Sequence, residues 1–160
     1  MTTSTHIEGL PTPPAGTRFG IVASRFNGLV TDALVAGALH TFARHGVSED
    51  RVTVVRVPGV WELPLAARWL LEAQPLDGIV ALACVIRGAT AHFDQIVGGA
   101  TSALRALTEC THVPIAHGIV ATDDAEDALS RAGLKHGNKG EEAVLAALEM
   151  ASLRARLKSL

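Results

Sequence analysis

The sequence GIVALACVIRGATAHFD, residues 78–94, is the most informative segment of the chain for its architecture. Its first part, residues 78–86, is an unbroken apolar run rich in branched side chains, which is typical of a strand buried on both faces. It then turns at Gly88 and continues into a helical pattern near His92. Such a turn directs free backbone N–H groups and the positive end of a helix dipole beyond the strand. We therefore predict an anion-binding loop here, although an ordinary helix start capped by Thr90 fits the same pattern.

The same succession of strand, turn and helix is predicted along the whole chain. Strands are predicted at residues 18–24, 51–57, 78–86 and 113–120. Helices are predicted at about residues 29–45, from Pro64 onward, at 91–109, from Thr122 to about Arg131, and at 139–157. This alternation predicts an α/β three-layer sandwich, in which a four-stranded parallel sheet with right-handed crossovers is flanked by helices on both faces.

The first part of the chain differs in character from the rest. Residues 1–17 contain Pro11, Pro13 and Pro14, which favour an extended N-terminal arm over a packed element. Within this arm, residues 6–8 fit a short strand that would pair with the sheet edge of a neighbouring subunit. Residues 18–160 are predicted to form a single domain, because no linker or repeat divides them.

Composition excludes several classes of function. Apolar residues make up 48% and charged residues 19% of the 160 residues, as in a globular protein. The net charge is −2 without a basic run, so we predict no nucleic-acid partner. Apolar runs of strand length and the lack of a signal-peptide pattern predict no membrane contact and a cytoplasmic location. The histidines and cysteines lack metal-ligand spacing, so no metal is predicted, and Cys84 and Cys110 are interpreted as reduced core residues.

The loops that follow the four strands are predicted to form the binding site, because parallel strands end at one edge of the sheet. Two of these loops carry aromatic residues: Phe26, which lies in a polar turn, and Trp61. A planar ligand stacking on Phe26 is one interpretation, and packing of its ring onto the next helix is the other. Trp61 has the same two interpretations.

Polar side chains in or near these loops also have a chemical and a structural interpretation. His92 is the best proton shuttle among them because histidine titrates near neutral pH, but most histidines at helix starts are surface or packing residues. The structural interpretation of Glu62 is an acidic residue that the helix dipole favours at a helix N-terminus. The structural interpretation of Arg131 is a basic residue that the dipole favours at a helix C-terminus. Lys139 is also consistent with an ordinary charged residue on the exposed face of a helix.

Taken together, seven segments resemble the 6,7-dimethyl-8-ribityllumazine synthase family, in the order that the family shows. No single segment is specific to the family, but the occurrence of all seven in the family's order is. The resemblance covers most of the chain, from about Arg18 to Met150, and implies a flavodoxin-like topology for the sandwich. The matching segments are RFN (25–27), VPGVWELP (57–64), VIRGATAHFD (85–94), GIVAT (118–122), RAG (131–133), NKGEE (138–142) and ALEM (147–150).

The resemblance implies an enzyme of riboflavin biosynthesis. The family condenses 5-amino-6-(D-ribitylamino)uracil with 3,4-dihydroxy-2-butanone 4-phosphate and releases phosphate and water. This chemistry requires neither a metal nor a redox cofactor, and its partners are small-molecule substrates. The alternative is a non-catalytic carrier or shell protein that binds flavin or lumazine on the same scaffold.

The resemblance also implies a role for each matching residue. His92 would transfer protons. The phosphate would be held by the N–H groups of Ala89 and Thr90 and by the Arg131 guanidinium, whose planar donors suit it. Phe26 would stack on the pyrimidine ring, and Glu62 would accept hydrogen bonds from ribityl hydroxyls. The full set of substrate-binding residues would be Phe26, Asn27, Val60, Trp61, Glu62, Cys84, Val85, Ile86, His117 and Lys139, the last approaching from a neighbouring subunit.

The sequence departs from the family pattern at four positions in or near the implied site. Trp61 and His117 stand where the family usually has Phe, Cys84 replaces a typical Thr, and Gln95 replaces a common aromatic residue. His117 makes one stacking face polar and titratable. These departures affect the expected ligand preference but leave the implied phosphate and proton-transfer positions intact.

The family resemblance further implies a homo-oligomer. Members form pentamers with active sites between adjacent subunits, and many close twelve pentamers into an icosahedral shell. The short turn at residues 133–138 favours the closed shell of sixty subunits, whereas the proline-bearing arm favours a free pentamer.

Overall fold

Four runs of mainly apolar residues form the central sheet of the computed structural model, which describes residues 4–160. They lie in the order β2-β1-β3-β4, and every adjacent pair is parallel. The predicted α/β sandwich around a four-stranded parallel sheet is therefore confirmed. The strands are β1 (Phe19–Ser24), β2 (Val52–Val57), β3 (Gly78–Ile86) and β4 (Ile115–Thr122).

Helices cover both faces of this sheet. They are α1 (Gly28–Arg44), α2 (Leu63–Ala73), α3 (His92–Thr111), α4 (Ala125–Ser130) and α5 (Lys139–Lys158). Pro64 lies in the first turn of α2, as predicted, where its missing N–H has no helical partner to lose. A short 3₁₀ turn, Val60–Glu62, leads into this helix.

Two boundaries near the end of α3 differ from the prediction. The helix ends at Thr111 rather than near residue 109, because the next residue, His112, adopts a left-handed conformation with φ 56. Strand β4 begins at Ile115 rather than at residue 113. Pro114 has no N–H to donate to the strand ladder, and its carbonyl instead accepts a hydrogen bond of 2.9 Å from the backbone N–H of Ile79.

Side chains of the sheet alternate between two hydrophobic cores. One face packs against α1 and α5 and includes Phe19, Leu82 and Cys84, while the other packs against α2 and α3. Cys84 is buried, as predicted. Cys110 is exposed, so its interpretation as a core residue was wrong; the buried stripe of α3 ends at Leu107, before its last turn.

The described part of the N-terminal arm lies along α5 without forming a helix or strand. The backbone N–H of Leu10 donates a hydrogen bond of 3.2 Å to the Ser152 hydroxyl, and the Arg156 guanidinium donates one of 2.7 Å to the Glu8 carbonyl. Residues 6–8 form no strand in the single chain, and their pairing with a neighbour stays a prediction. Among residues 4–160, no helix is both long and apolar enough to cross a bilayer.

Candidate active site

The loops after the strands enclose a cleft of about 800 Å³ at the carboxyl edge of the sheet. Backbone hydrogen bonds join the loops in pairs: Arg25 N–H donates to the Val57 carbonyl at 2.7 Å, and Arg87 N–H to the Thr122 carbonyl at 2.9 Å. The cleft brings together nine of the predicted site residues from three loops. These are Phe26, Val60, Trp61, Glu62, Cys84, Val85, Ile86, Thr90 and His92.

Phe26 and Trp61 form aromatic walls of this cleft. Phe26 is 69% exposed and Trp61 is 61% exposed, so neither ring is part of a hydrophobic core. This exposure favours the stacking interpretation of Phe26 over packing onto the next helix, because a ring packed onto α1 would be largely covered. Two exposed aromatic faces on one cleft are suited to a planar ligand.

Asn27 supports the cleft from outside rather than lining it. Its backbone is left-handed with φ 54, a conformation that Asn tolerates better than most residues. The Asn27 side-chain amide donates a hydrogen bond of 2.9 Å to the Cys84 carbonyl, so this carbonyl already has a partner. Burial raises the pKa of the Cys84 thiol to about 11, which keeps the thiol protonated and unreactive.

Glu62 lies at the point where the 3₁₀ turn meets α2. Its Oε2 accepts a hydrogen bond of 2.9 Å from the backbone N–H of Gly59 and thereby closes the turn on itself. This capping contact matches the structural interpretation of Glu62. The side chain nevertheless lines the cleft, and one of its two oxygens is enough for the backbone bond, so the other can accept from a ligand.

The glycine turn after β3 leaves its backbone donors exposed. The helix starts at His92 with Ala91 at the N-cap and no side-chain cap, so the alternative in which Thr90 caps the helix is wrong. Within residues 4–160, the N–H groups of Ala89 and Thr90 donate no backbone hydrogen bond, and both residues are exposed. Free N–H groups ahead of a twenty-residue helix are available to an anion, so anion binding at this turn stays a prediction.

Arg87 fixes this turn in place, and the sequence interpretation gave it no role. Its guanidinium bonds to Asp94 in the first turn of α3 at 3.1 Å and to Asp123 after β4 at 2.8 Å. It also lies 4.2 Å from the centre of the Phe93 ring. Hydrogen bonding to Asp94, and then to Asp123, raises the pKa of Arg87. The sequence carried no signal for these contacts, because residue spacing does not show which carboxylates the turn brings within reach of Arg87.

Arg131 does not line the cleft of its own chain. It borders a second cavity of about 380 Å³ with Thr122, Asp123, Asp127 and His136. In the described part of the chain it forms no ion pair, so its guanidinium is available to an anion.

Lys139 lies beside Arg131 rather than in the cleft. Its backbone N–H donates a hydrogen bond of 2.8 Å to the Arg131 carbonyl, and its ammonium group pairs with Glu142 at 2.9 Å. Arg131 and Lys139 are therefore neighbours in the structure. Neither lines the cleft, although the cavity beside Arg131 shares Phe93 with it.

His117 is also outside the cleft. It projects from β4 beside α3, where its Nε2 lies 3.4 Å from the Thr101 hydroxyl. Desolvation lowers the pKa of His117, and the positive charge of Lys139 acts in the same direction. The residue is exposed, and it belongs to β4, the edge strand opposite β2 in the sheet.

The described residues contain no group of three or more His, Cys, Asp or Glu side chains placed to hold a metal ion. The polar groups of the cleft are instead backbone donors, one carboxylate, one imidazole and the Gln95 amide, together with the Thr90 hydroxyl. Such a set can bind an anion and a hydroxylated, planar molecule and can move a proton.

Comparison with known proteins places the chain in an enzyme family. A family profile described as 6,7-dimethyl-8-ribityllumazine synthase matches residues 16–155. A 6,7-dimethyl-8-ribityllumazine synthase of Xylella fastidiosa (strain 9a5c) is 48% identical over 153 residues, which cover 96% of this chain and 99% of the relative. The Aquifex aeolicus (strain VF5) protein of that name is 49% identical over 138 residues, covering 86% and 90%. A third, from Xanthomonas oryzae pv. oryzae (strain PXO99A), is 46% identical over 149 residues, covering 93% and 96%.

Proposed function

The chain belongs to the 6,7-dimethyl-8-ribityllumazine synthase family, and we propose that the cleft at the carboxyl edge of its sheet is where its two substrates react. It is a transferase of riboflavin biosynthesis, which condenses 5-amino-6-(D-ribitylamino)uracil with 3,4-dihydroxy-2-butanone 4-phosphate. The observation that carries the site assignment is the meeting of aromatic walls, free N–H donors and His92 in one cleft.

The reaction requires little from the protein beyond binding and proton transfer. The amine adds to the ketone and loses water to form an imine, and elimination then releases the phosphate. Elimination leaves an enol at C3 that tautomerises to a ketone, and the second amine closes the ring on this new carbonyl with loss of a second water. Holding both substrates in one cleft supplies up to about 7–11 kcal/mol of the barrier reduction by proximity.

In the proposed complex, the pyrimidine ring lies between the aromatic walls. Phe26 stacks on the ring, and Trp61 and Val60 bound it from the loop after β2. The backbone groups of Val85 and Ile86 face the polar edge of the ring. Glu62 accepts hydrogen bonds from the ribityl hydroxyls with the oxygen that Gly59 leaves free.

The phosphate occupies the turn after β3 in this proposal. The exposed N–H groups of Ala89 and Thr90 donate to it, and the dipole of α3 adds a favourable field. An Arg131 guanidinium supplies the balancing charge. His92, exposed in the first turn of α3, moves protons between the amine, the carbonyl and the leaving groups.

We propose that each site is completed by a neighbouring subunit. Within one chain, Arg131, Lys139 and His117 lie outside the cleft, while the cleft itself lacks a free cation among its lining residues. A second copy that presents these three residues to the cleft would supply that charge. The family resemblance extends this to a pentamer, and the short turn at residues 133–138 favours twelve pentamers in an icosahedral shell over a free pentamer.

A non-catalytic carrier on the same scaffold is not favoured. A carrier has no need of Arg131 or of the free donors at Ala89 and Thr90, and the relatives are named as synthases. A cytoplasmic location completes the proposal, since both cysteines are free thiols, as in a reducing compartment.

Mixing the purified protein with both substrates and following the absorbance of the lumazine product tests the function. We expect product well above the spontaneous rate. Tight binding of riboflavin without any turnover would instead identify a carrier.

A further inference from the structure

Gly99 lies directly beneath the indole of Trp61. A methyl group added at Gly99 would lie 2.6 Å from Cζ3 and 3.2 Å from Cη2 of that indole. Both atoms belong to the six-membered ring, far from the backbone of residue 61. A separation of 2.6 Å is too short for carbon atoms in non-bonded contact, so a side chain at position 99 would require the ring to move from where it rests.

The neighbouring glycine shows that this contact is specific. Gly98 also lies in α3, yet a methyl group added there would meet no atom within 4 Å. Neither glycine has a positive φ, so the helix backbone would accept alanine at both positions. Glycine weakens a helix interior relative to alanine. At Gly99 the loss of helix stability is offset by the packing of the Trp61 indole, which needs the space. At Gly98 no contact offsets it.

We propose that Gly99 is a positioning residue that sets the location of the Trp61 indole and thereby the shape of the ring-binding part of the cleft. Trp61 reaches the cleft from a short 3₁₀ turn and is otherwise largely exposed, so α3 is the support that limits its movement. A side chain at position 99 would displace the indole and disturb its fit to the planar substrate. This inference rests on the proposed assignment of the cleft as the substrate site.

The experiment compares Gly99→Ala with Gly98→Ala, which makes the same chemical change one residue away. Tryptophan emission is recorded in a Trp69→Phe background, in which Trp61 is the only indole. We expect Gly99→Ala to shift the Trp61 emission and to raise the KM for the pyrimidine substrate about fivefold or more. The KM for the butanone phosphate should stay the same. Gly98→Ala should leave emission and both KM values unchanged.

Trp61→Phe provides the rescue, because a phenyl ring lacks the outer indole atoms that would meet the added methyl group. We expect Trp61→Phe and the double variant Trp61→Phe/Gly99→Ala to have the same KM for the pyrimidine. Should Gly99→Ala fail to fold, the double variant should fold, since the obstacle has been removed. A double variant that also fails to fold would overturn the proposal.

Two other results would overturn the proposal in distinguishable ways. Unchanged Trp61 emission and KM in Gly99→Ala would show that Gly99 does not position the indole. A shifted emission in Gly99→Ala, with the KM unchanged both in that variant and in Trp61→Phe, would show that Trp61 does not bind the ring. The wild-type product assay, which involves neither residue change, would still report the function of the chain.

Discussion

The side-chain amide of Asn27 donates a hydrogen bond of 2.9 Å to the carbonyl oxygen of Cys84. This bond joins the turn after β1 to the interior of β3, two elements that are far apart in sequence. It ties the turn that contains Phe26 to the strand that leads into the loop with the free N–H groups of Ala89 and Thr90. The amide therefore links the aromatic wall to the strand that precedes the proposed anion site.

Replacing Asn27 separates its two contributions. Asn27→Ala loses the hydrogen bond and also forces alanine into a left-handed backbone with φ 54, whereas Asn27→Gly loses the bond alone. We expect a loss of unfolding free energy of about 2 kcal/mol for alanine and about 1 kcal/mol for glycine. Thermal or urea unfolding of both variants measures this. Equal losses would show that the backbone conformation carries no cost.

Arg131 is expected to act on only one of the two substrates. Arg131→Ala should raise the KM for the butanone phosphate about 10- to 100-fold, because a charge-assisted pair with the phosphate is lost. The KM for the pyrimidine should hardly change. Arg131→Lys keeps the charge but not the planar donors and should give an intermediate value. An unchanged KM in Arg131→Ala would place the phosphate elsewhere.

His92 should contribute to kcat without being indispensable. His92→Ala should lower kcat about 10- to 100-fold, at the low end of what a general acid–base supplies, because binding the two substrates together still accelerates the reaction. Steady-state measurement of kcat for both proteins tests this expectation. Complete loss of activity would mean that His92 does more than transfer protons.

His117 should make stability depend on pH. Desolvation lowers its pKa below the ordinary value of 6.5, so the unfolded chain binds the proton more tightly than the folded one. As far as His117 is concerned, the free energy of unfolding is highest above pH 6.5. It decreases as the pH falls toward the lower pKa of the folded state. We expect the melting temperature of wild type to fall more than that of His117→Phe between about pH 7 and pH 5. Parallel pH profiles would contradict this.

The fold could be predicted from the sequence because each strand carries its own local signal. The apolar run at 78–86 and its glycine turn indicate a buried strand followed by a helix. The same pattern recurs along the chain, and this alternation predicts a parallel sheet flanked by helices. The errors occurred where the local pattern is ambiguous. Pro114 was counted in a strand although it cannot donate to the ladder, and Cys110 continues an apolar stripe that the structure ends at Leu107.

The site was predictable only in part, for the same reason. Loops at one edge of a parallel sheet must meet, so Phe26, Trp61 and His92 could be grouped without coordinates. The network of Arg87 depends on which carboxylates a turn brings within reach, and the support of Trp61 by Gly99 depends on a packing distance. Neither quantity is encoded in residue type or spacing alone.

Arg131 and Lys139 do not line the cleft of their own chain, which is the basis for proposing a shared site. The proposal is tested with two impaired proteins, one carrying Phe26→Ala and His92→Ala, the other Arg131→Ala and Lys139→Ala. Each half of a shared site is then intact in one of them. The two chains are produced together so that they assemble at random, and each is also produced alone as a control.

The decisive measurement is the rate of lumazine formation by the mixed assembly. Sites shared between neighbours predict recovery to about a quarter of the wild-type activity, because about one interface in four combines the two intact halves. A mixed assembly no more active than either variant alone would contradict the account and place all of these residues in one chain's site.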